Sequence, residues 1–146
     1  MKSIFTSLLG LLVSGFVVSQ VYAQANKPAS AGVYTAQQAE RGKSLYQSKC
    51  AMCHSDDLTG GGTAPSLSGD DFTAGWSGQP LANLFDTIHT SMPADQPGSL
   101  TMPQAADIVS YLLSFNKFPA GQTELSPDDA ALKQILIDKA PAAPKN

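Results

Sequence analysis

Five consecutive positions, Cys50, Ala51, Met52, Cys53 and His54, hold both cysteines of the chain and one of its two histidines. Two thiols in a C-x-x-C-H arrangement suit three kinds of chemistry. Dithiol redox exchange uses C-x-x-C, but it belongs to a βαβ setting, and this sequence shows no convincing strand. A structural zinc site wants four ligands, and His89 is the only other histidine to recruit. The third possibility fits every residue. Each thiol adds across one vinyl group of a haem, and the histidine that follows directs its imidazole at the iron from one side. Cys50 and Cys53 are then covalent tethers and His54 is an axial ligand. A disulfide between them would close too short a loop to restrict the unfolded chain much.

Tethers and ligand need elements to position them. Residues 34–50 have a capping-box pattern, Thr35 with Gln38, and Ala39, Gly42 and Tyr46 recur at helical spacing. Gly42 costs such a helix about 1 kcal/mol against alanine, acceptable where a second helix must approach closely. Residues 55–78 are crowded with turn formers and are expected to be irregular. A loop of that length needs something to wrap around. From Pro80, Leu81, Leu84, Phe85 and Ile88 mark one apolar helical face that ends near Met92 and Pro93. The strongest helix follows: Thr101 caps it, Gln104 completes the box, and Ala105, Ile108, Val109 and Leu112 line one side. A short last helix is expected after Ser126 as cap and Pro127 as first residue.

The chain ends are read differently. Met1 and Lys2 precede a glycine- and serine-interrupted apolar run and small residues near Ala23. This is the pattern of an export signal, residues 1–23, cleaved after Ala23 or Ala25. Residues 24–33 are expected to be a flexible arm, 34–138 one domain, and 139–146 a flexible tail. Cleavage removes Lys2 and takes the formal charge from −3 to −4. A mildly acidic chain without a basic cluster is a poor partner for nucleic acid. The mature form is expected to have no membrane span, and a docking partner would offer a basic patch.

From Tyr34 to about Ile137 the sequence resembles the small class I c-type cytochromes. The matching pieces are GKSLYQSKCAMCH, APSL, FTAGW, TSMP and ADIVSYLLSFNKFPAG. The resemblance implies an all-α cytochrome c fold, three to four helices around one covalently bound haem c, with terminal helices that cross. Gly42 and Tyr46 would pack there against the region of Tyr111 and Leu112. It also implies that the Pro65 carbonyl accepts the His54 Nδ1 proton, that Leu67 and Phe72 pack the haem, and that Trp76 reaches a propionate. Trp76 as ordinary core packing stays open.

Four residues compete for the second axial position. Met52 lies between the tethers and cannot reach the opposite face. Met102 is committed to the first turn of the strongest helix, where a hydrophobic contact suits it. His89 sits among threonines. Met92 follows a helix end in a loop free to cross the haem, and it matches the distal-ligand segment of the family. Met92 is the choice, with Met102 the main alternative.

With histidine and methionine on the iron there is no open coordination site. The expectation is a periplasmic single-electron carrier rather than an enzyme. Its donor would be a periplasmic dehydrogenase or a bc-type complex, and its acceptor a terminal oxidase or reductase. Two alternatives stand beside it: a dedicated subunit of a dehydrogenase, and a five-coordinate haem sensor or enzyme.

Overall fold

The structure is a computed structural model of the 146-residue chain, and residues 26–139 are described. The export signal and most of the expected tail lie outside them. Among the described residues six helices form: α1 (Ala36–Lys49), α2 (Ala51–His54), α3 (Gly69–Trp76), α4 (Leu81–Ser91), α5 (Met102–Phe115) and α6 (Asp129–Lys133). Two-residue strands β1 (Lys27–Pro28) and β2 (Ile135–Leu136) pair in parallel. The class is all-α, with more helices than the three or four expected.

The frame is the crossing of α1 and α5. Gly42 lets them touch backbone to backbone: a Cβ built there would stand 1.8 Å from the Asp107 carbonyl oxygen and 2.9 Å from Tyr111 Cβ. One turn later the Tyr46 ring meets Tyr111, centroids 5.3 Å apart and tilted by 53°. Outside the crossing, Arg41 makes a two-pronged ion pair with Asp107, each bond 3.0 Å.

Helix α5 begins as its sequence demands. Thr101 Oγ1 accepts the Gln104 N–H, and Gln104 Oε1 accepts the Thr101 N–H in return. Ala105, Ile108, Val109 and Leu112 are buried. The apolar face of α4 is buried as well: Leu81, Leu84, Phe85 and Ile88.

Four local expectations are corrected. The box on α1 is only half made. Thr35 Oγ1 accepts the Gln38 N–H at 3.1 Å, but the Gln38 side chain serves a distant segment. Its amide donates to the Leu125 carbonyl (3.1 Å) and its oxygen accepts the Leu125 N–H (2.7 Å). The last helix starts later than expected because Asp128, not Ser126, accepts the N–H of Ala131 and caps it. Part of the irregular stretch is helical: α3 buries Phe72, and Asn116 Oδ1 accepts the Gly69 N–H at its start.

The arm of residues 24–33, expected to be flexible, is docked from Lys27 onward. The Lys27 N–H donates to the Gln134 carbonyl (2.8 Å), Ser30 binds the Asp138 carboxylate through N–H and hydroxyl, and Ala29 and Val33 are buried. Residues 119–138 form a strap that receives this arm and reaches α4. The Ile137 N–H donates to the Gln79 carbonyl, and the Ile137 carbonyl accepts the Gly78 N–H. Phe118, Leu125, Leu132 and Ile137 are all buried.

Candidate haem site

The site begins at the C-terminus of α1. Cys50 ends that helix and opens the single turn α2, with the N–H groups of Cys53 and His54 both donating to the Cys50 carbonyl (3.1 and 2.9 Å). Cysteines and histidine therefore share one helical turn. Both thiols are free. Cys50 is half-buried and Cys53 exposed, and burial pushes the Cys50 thiol up to about 11. Met52, between them, is 98% exposed.

His54 is buried, and its Nδ1 lies 2.9 Å from the Pro65 carbonyl oxygen. A carbonyl only accepts, so Nδ1 carries a proton there, and in the neutral ring Nε2 is the nitrogen with the free lone pair. Nε2 has no partner among the described residues, yet no buried side-chain nitrogen or oxygen there lacks one. Nε2 therefore keeps some accessible surface. This is the arrangement a metal-ligating histidine needs: one nitrogen anchored, the other available. The donor set fits a c-type haem. It does not fit zinc, because no group of three or more His, Cys, Asp or Glu converges among the described residues.

The loop that carries Pro65 is organised by hydrogen bonds rather than by regular structure. The Gly60 N–H donates to the His54 carbonyl (3.0 Å), and Ser55 Oγ donates to the Gly60 carbonyl (2.8 Å). Leu58 is fully buried, and its carbonyl accepts the Leu67 N–H at 2.8 Å. Thr59 binds Asp57 through N–H and hydroxyl (3.2 and 2.7 Å), which holds the Asp57 carboxyl below its ordinary value. Ser55 has φ 65° and ψ 156°, a region nearly reserved for glycine that costs other residues about 1–3 kcal/mol. Sequence reasoning missed Ser55 and Leu58. Neither has a local signature, since a positive φ on a serine or a leucine is imposed by the surroundings.

Leu67 and Trp76 are half-buried against the core, and Phe72 is buried within it. The Trp76 indole N–H has no acceptor among the described residues and, like Nε2, remains accessible. Met92 is half-buried at the C-cap of α4, its N–H donating to the Ile88 carbonyl at 3.3 Å. Met102 begins α5 with 42% of its surface exposed, more open than the hydrophobic contact expected of it. The His89 ring stacks on Phe85, centroids 5.8 Å apart. Direct hydrogen bonds join Cys53 and His54 to Cys50, and His54 to Pro65. Leu67 in the loop, Phe72 and Trp76 on α3 and Met92 at the end of α4 make no hydrogen bond to these four among the described residues.

Residues 37–112 match the family described as cytochrome c oxidase, cbb3-type, subunit III. No curated protein sequence matches the chain. Among solved structures, the sulfane dehydrogenase SoxCD from Paracoccus pantotrophus shares the fold, with a TM-score of 0.54 at 22% identity. The alignment covers 80% of this chain and 61% of that one, so this chain spans about three fifths of its neighbour's length. The family match takes in the C-x-x-C-H turn, the crossing helices and just over half of all residues, so the chain belongs to this cytochrome c family and is a monohaem c-type cytochrome, an electron-transfer protein.

Proposed function

We propose that the chain is a periplasmic single-electron carrier holding one haem c through Cys50 and Cys53, with His54 and Met92 as axial ligands, and that it is not itself an enzyme. The observation that carries this reading is the bond from His54 Nδ1 to the Pro65 carbonyl, which anchors the ring and leaves Nε2 without a protein partner among the described residues. When bound, the haem supplies an iron that alternates between two charge states. The protein keeps the surroundings constant while it does so. Pro65 holds the imidazole in one tautomer and orientation. A thioether from Met92 favours the reduced state and raises the potential. Leu67 and Phe72 exclude water, and the Trp76 N–H is available to a propionate.

The charge distribution supports a transient basic partner. From Cys50 to Asn116 the sequence has no lysine or arginine. It has six exposed carboxylates, Asp56, Asp57, Asp70, Asp71, Asp86 and Asp95, none of them in an ion pair among the described residues. The ion pairs gather around Arg41 and Lys133 instead. A donor (a dehydrogenase or bc-type complex) or an acceptor (a terminal oxidase or reductase) with a lysine-rich face would be steered to the haem half, and the rate of encounter would fall with added salt.

The sulfane dehydrogenase neighbour favours a second reading, a cytochrome subunit held permanently by a dehydrogenase. The strap after Phe118 is a poor contact for that purpose, because Leu125, Leu132 and Ile137 are already buried within this chain and Ile135 and Leu136 are half-buried. Size exclusion of a native periplasmic extract separates the two readings: a free carrier runs at the mass of the mature chain.

The ligand assignment is tested by spectra of the purified protein in both oxidation states. Colour should stay with the polypeptide through acid-acetone extraction. Met92→Ala should abolish the methionine-to-iron charge-transfer band and admit carbon monoxide to the reduced protein, while Met102→Ala should do neither. The opposite pair of results transfers the ligand to Met102. Prompt carbon monoxide binding by the unaltered protein establishes a five-coordinate haem.

A further inference from the structure

Tyr46 is in position to do more than pack. Its ring is 0% exposed in the α1–α5 crossing, a role phenylalanine would fill equally well. Its polar atoms are placed at the two ends of the C-x-x-C-H turn. The Tyr46 carbonyl accepts the Cys50 N–H at 2.8 Å, and the Tyr46 hydroxyl donates to the Ser55 carbonyl at 2.7 Å. One residue brackets the whole haem-attachment segment.

The second bond falls where the backbone is least willing to stay. Ser55, with its positive φ, directly follows His54. Five hydrogen bonds over-determine this corner. Ser55 N–H donates to the Ala51 carbonyl and Ser55 Oγ to the Gly60 carbonyl, Gly60 N–H donates to the His54 carbonyl, and the Leu58 N–H and the Tyr46 hydroxyl both donate to the Ser55 carbonyl. Four of them are made within the segment and move with it. Only the Tyr46 hydroxyl refers the corner to the rigid helix crossing.

We propose that Tyr46 is a positioning residue for His54: its hydroxyl latches the strained Ser55 peptide to the α1–α5 crossing and so sets the orientation of the imidazole. This rests on the reading of His54 as an axial ligand. Without the latch, the corner relaxes toward ordinary dihedrals, and the plane of the His54 ring turns about the bond to Pro65.

The test compares Tyr46→Phe with Tyr111→Phe in the haem-loaded protein. The Tyr111 hydroxyl has no hydrogen bond among the described residues, so its loss controls for the aromatic pair. In Tyr46→Phe, hydrogen exchange at the Gly60 amide should quicken about tenfold, while amides at the centre of α5, such as that of Val109, keep their rates. The haem-methyl resonances of the oxidised protein, which report the axial imidazole plane, should change their spread. Tyr111→Phe should leave both readouts as they were. The latch is overturned if Gly60 exchange and the methyl pattern of Tyr46→Phe match the unaltered protein, or if both variants change alike. If Tyr46→Phe does not accumulate, the unaltered protein decides. A slowly exchanging Tyr46 hydroxyl proton close to Ser55 supports the latch, and its absence overturns it. A haem in the unaltered protein that lacks histidine ligation removes the earlier reading and this inference with it, a result distinct from an unchanged Gly60 rate.

Discussion

Two regions of this molecule bring distant residues together by opposite means. In the crossing of α1 and α5, contact is made by removing a side chain: Gly42 lets a helix lie against the Asp107 carbonyl. In the strap, residues 119–138, contact is made by adding side-chain hydrogen bonds to the backbone. Gln38 grips both polar groups of Leu125, and the Tyr34 hydroxyl donates to the Phe118 carbonyl at 2.5 Å. The crossing lies inside the family match, and the strap lies beyond it. The crossing is the common frame that holds the haem segment. The strap is a brace that ties the N-terminal arm to α4, and through α4 to the segment that ends at Met92.

The difference is broken most severely at Gly42. Gly42→Ala puts a methyl group inside the radius of a backbone oxygen, and neither helix has a flexible side chain there to yield. The helices must separate, taking Tyr46 and the end of the haem turn with them. The expected cost is about 3 kcal/mol, read as a lower denaturation midpoint of the haem-loaded protein together with an altered visible spectrum. A loss under about 1 kcal/mol with an unchanged spectrum would contradict a backbone-to-backbone crossing.

The same contrast explains what could be read in advance. Helix α5 was legible because its signals are local: a capping box, a proline in the first turn and a single apolar face within 14 residues. The C-x-x-C-H turn was legible because its five residues are adjacent in sequence, and they share one helical turn. The strap left no such trace. Gln38 looks like a capping residue for α1, and nothing nearby says that its side chain serves Leu125, 87 residues away. The arm looked loose because its composition is polar, yet Asp138 and Gln134 supply partners for its backbone. Helix α3 begins with a glycine and two aspartates, and it depends on Asn116 of the far end of α5 to bind its first N–H. Tertiary partners outweighed local preference in all three. Within the site, the resemblance implies a bond from His54 Nδ1 to the Pro65 carbonyl, and the two atoms stand 2.9 Å apart. The corner at Ser55 and the plug at Leu58 are products of the folded loop, so no pattern of residue types announces them.

Gln38→Ala tests the strap without touching the crossing. It leaves the Leu125 N–H and carbonyl without partners in a buried place, at a cost of about 2–3 kcal/mol. The loss should be local. Limited proteolysis should nick the exposed residues Gln122 to Glu124 much faster, while the visible spectrum keeps its form. Gln38→Glu should be intermediate, because the carboxylate still accepts from Leu125 but no longer donates to it. A spectrum altered as strongly as that of Gly42→Ala would mean that strap and crossing are one cooperative unit.

The smallest effect is a dependence on alkaline pH that both regions share. Tyr34 holds the start of the strap, and Tyr46 and Tyr111 form the aromatic pair of the crossing. Burial raises all three above the ordinary tyrosine value of 10.0. Between that value and the folded-state values, the unfolded chain has released its phenol protons while the folded chain keeps them. The unfolded state then binds fewer protons, so stability falls as pH rises. The contribution is fully present below about pH 10 and is lost as pH climbs toward the folded-state values. A titration that follows phenolate absorbance should therefore show no ordinary tyrosine step near pH 10, but one later rise that coincides with unfolding. The other tyrosine of the chain, Tyr22, goes with the export signal if cleavage follows Ala23 or Ala25. Tyr34→Phe and Tyr46→Phe should each flatten part of the alkaline slope, and Tyr46→Phe should flatten more, since its shift upward is the larger. An independent step near pH 10 in the folded protein would show that one of these hydroxyls is solvated, and Tyr111, which has no hydrogen bond to break among the described residues, is where it would first be sought.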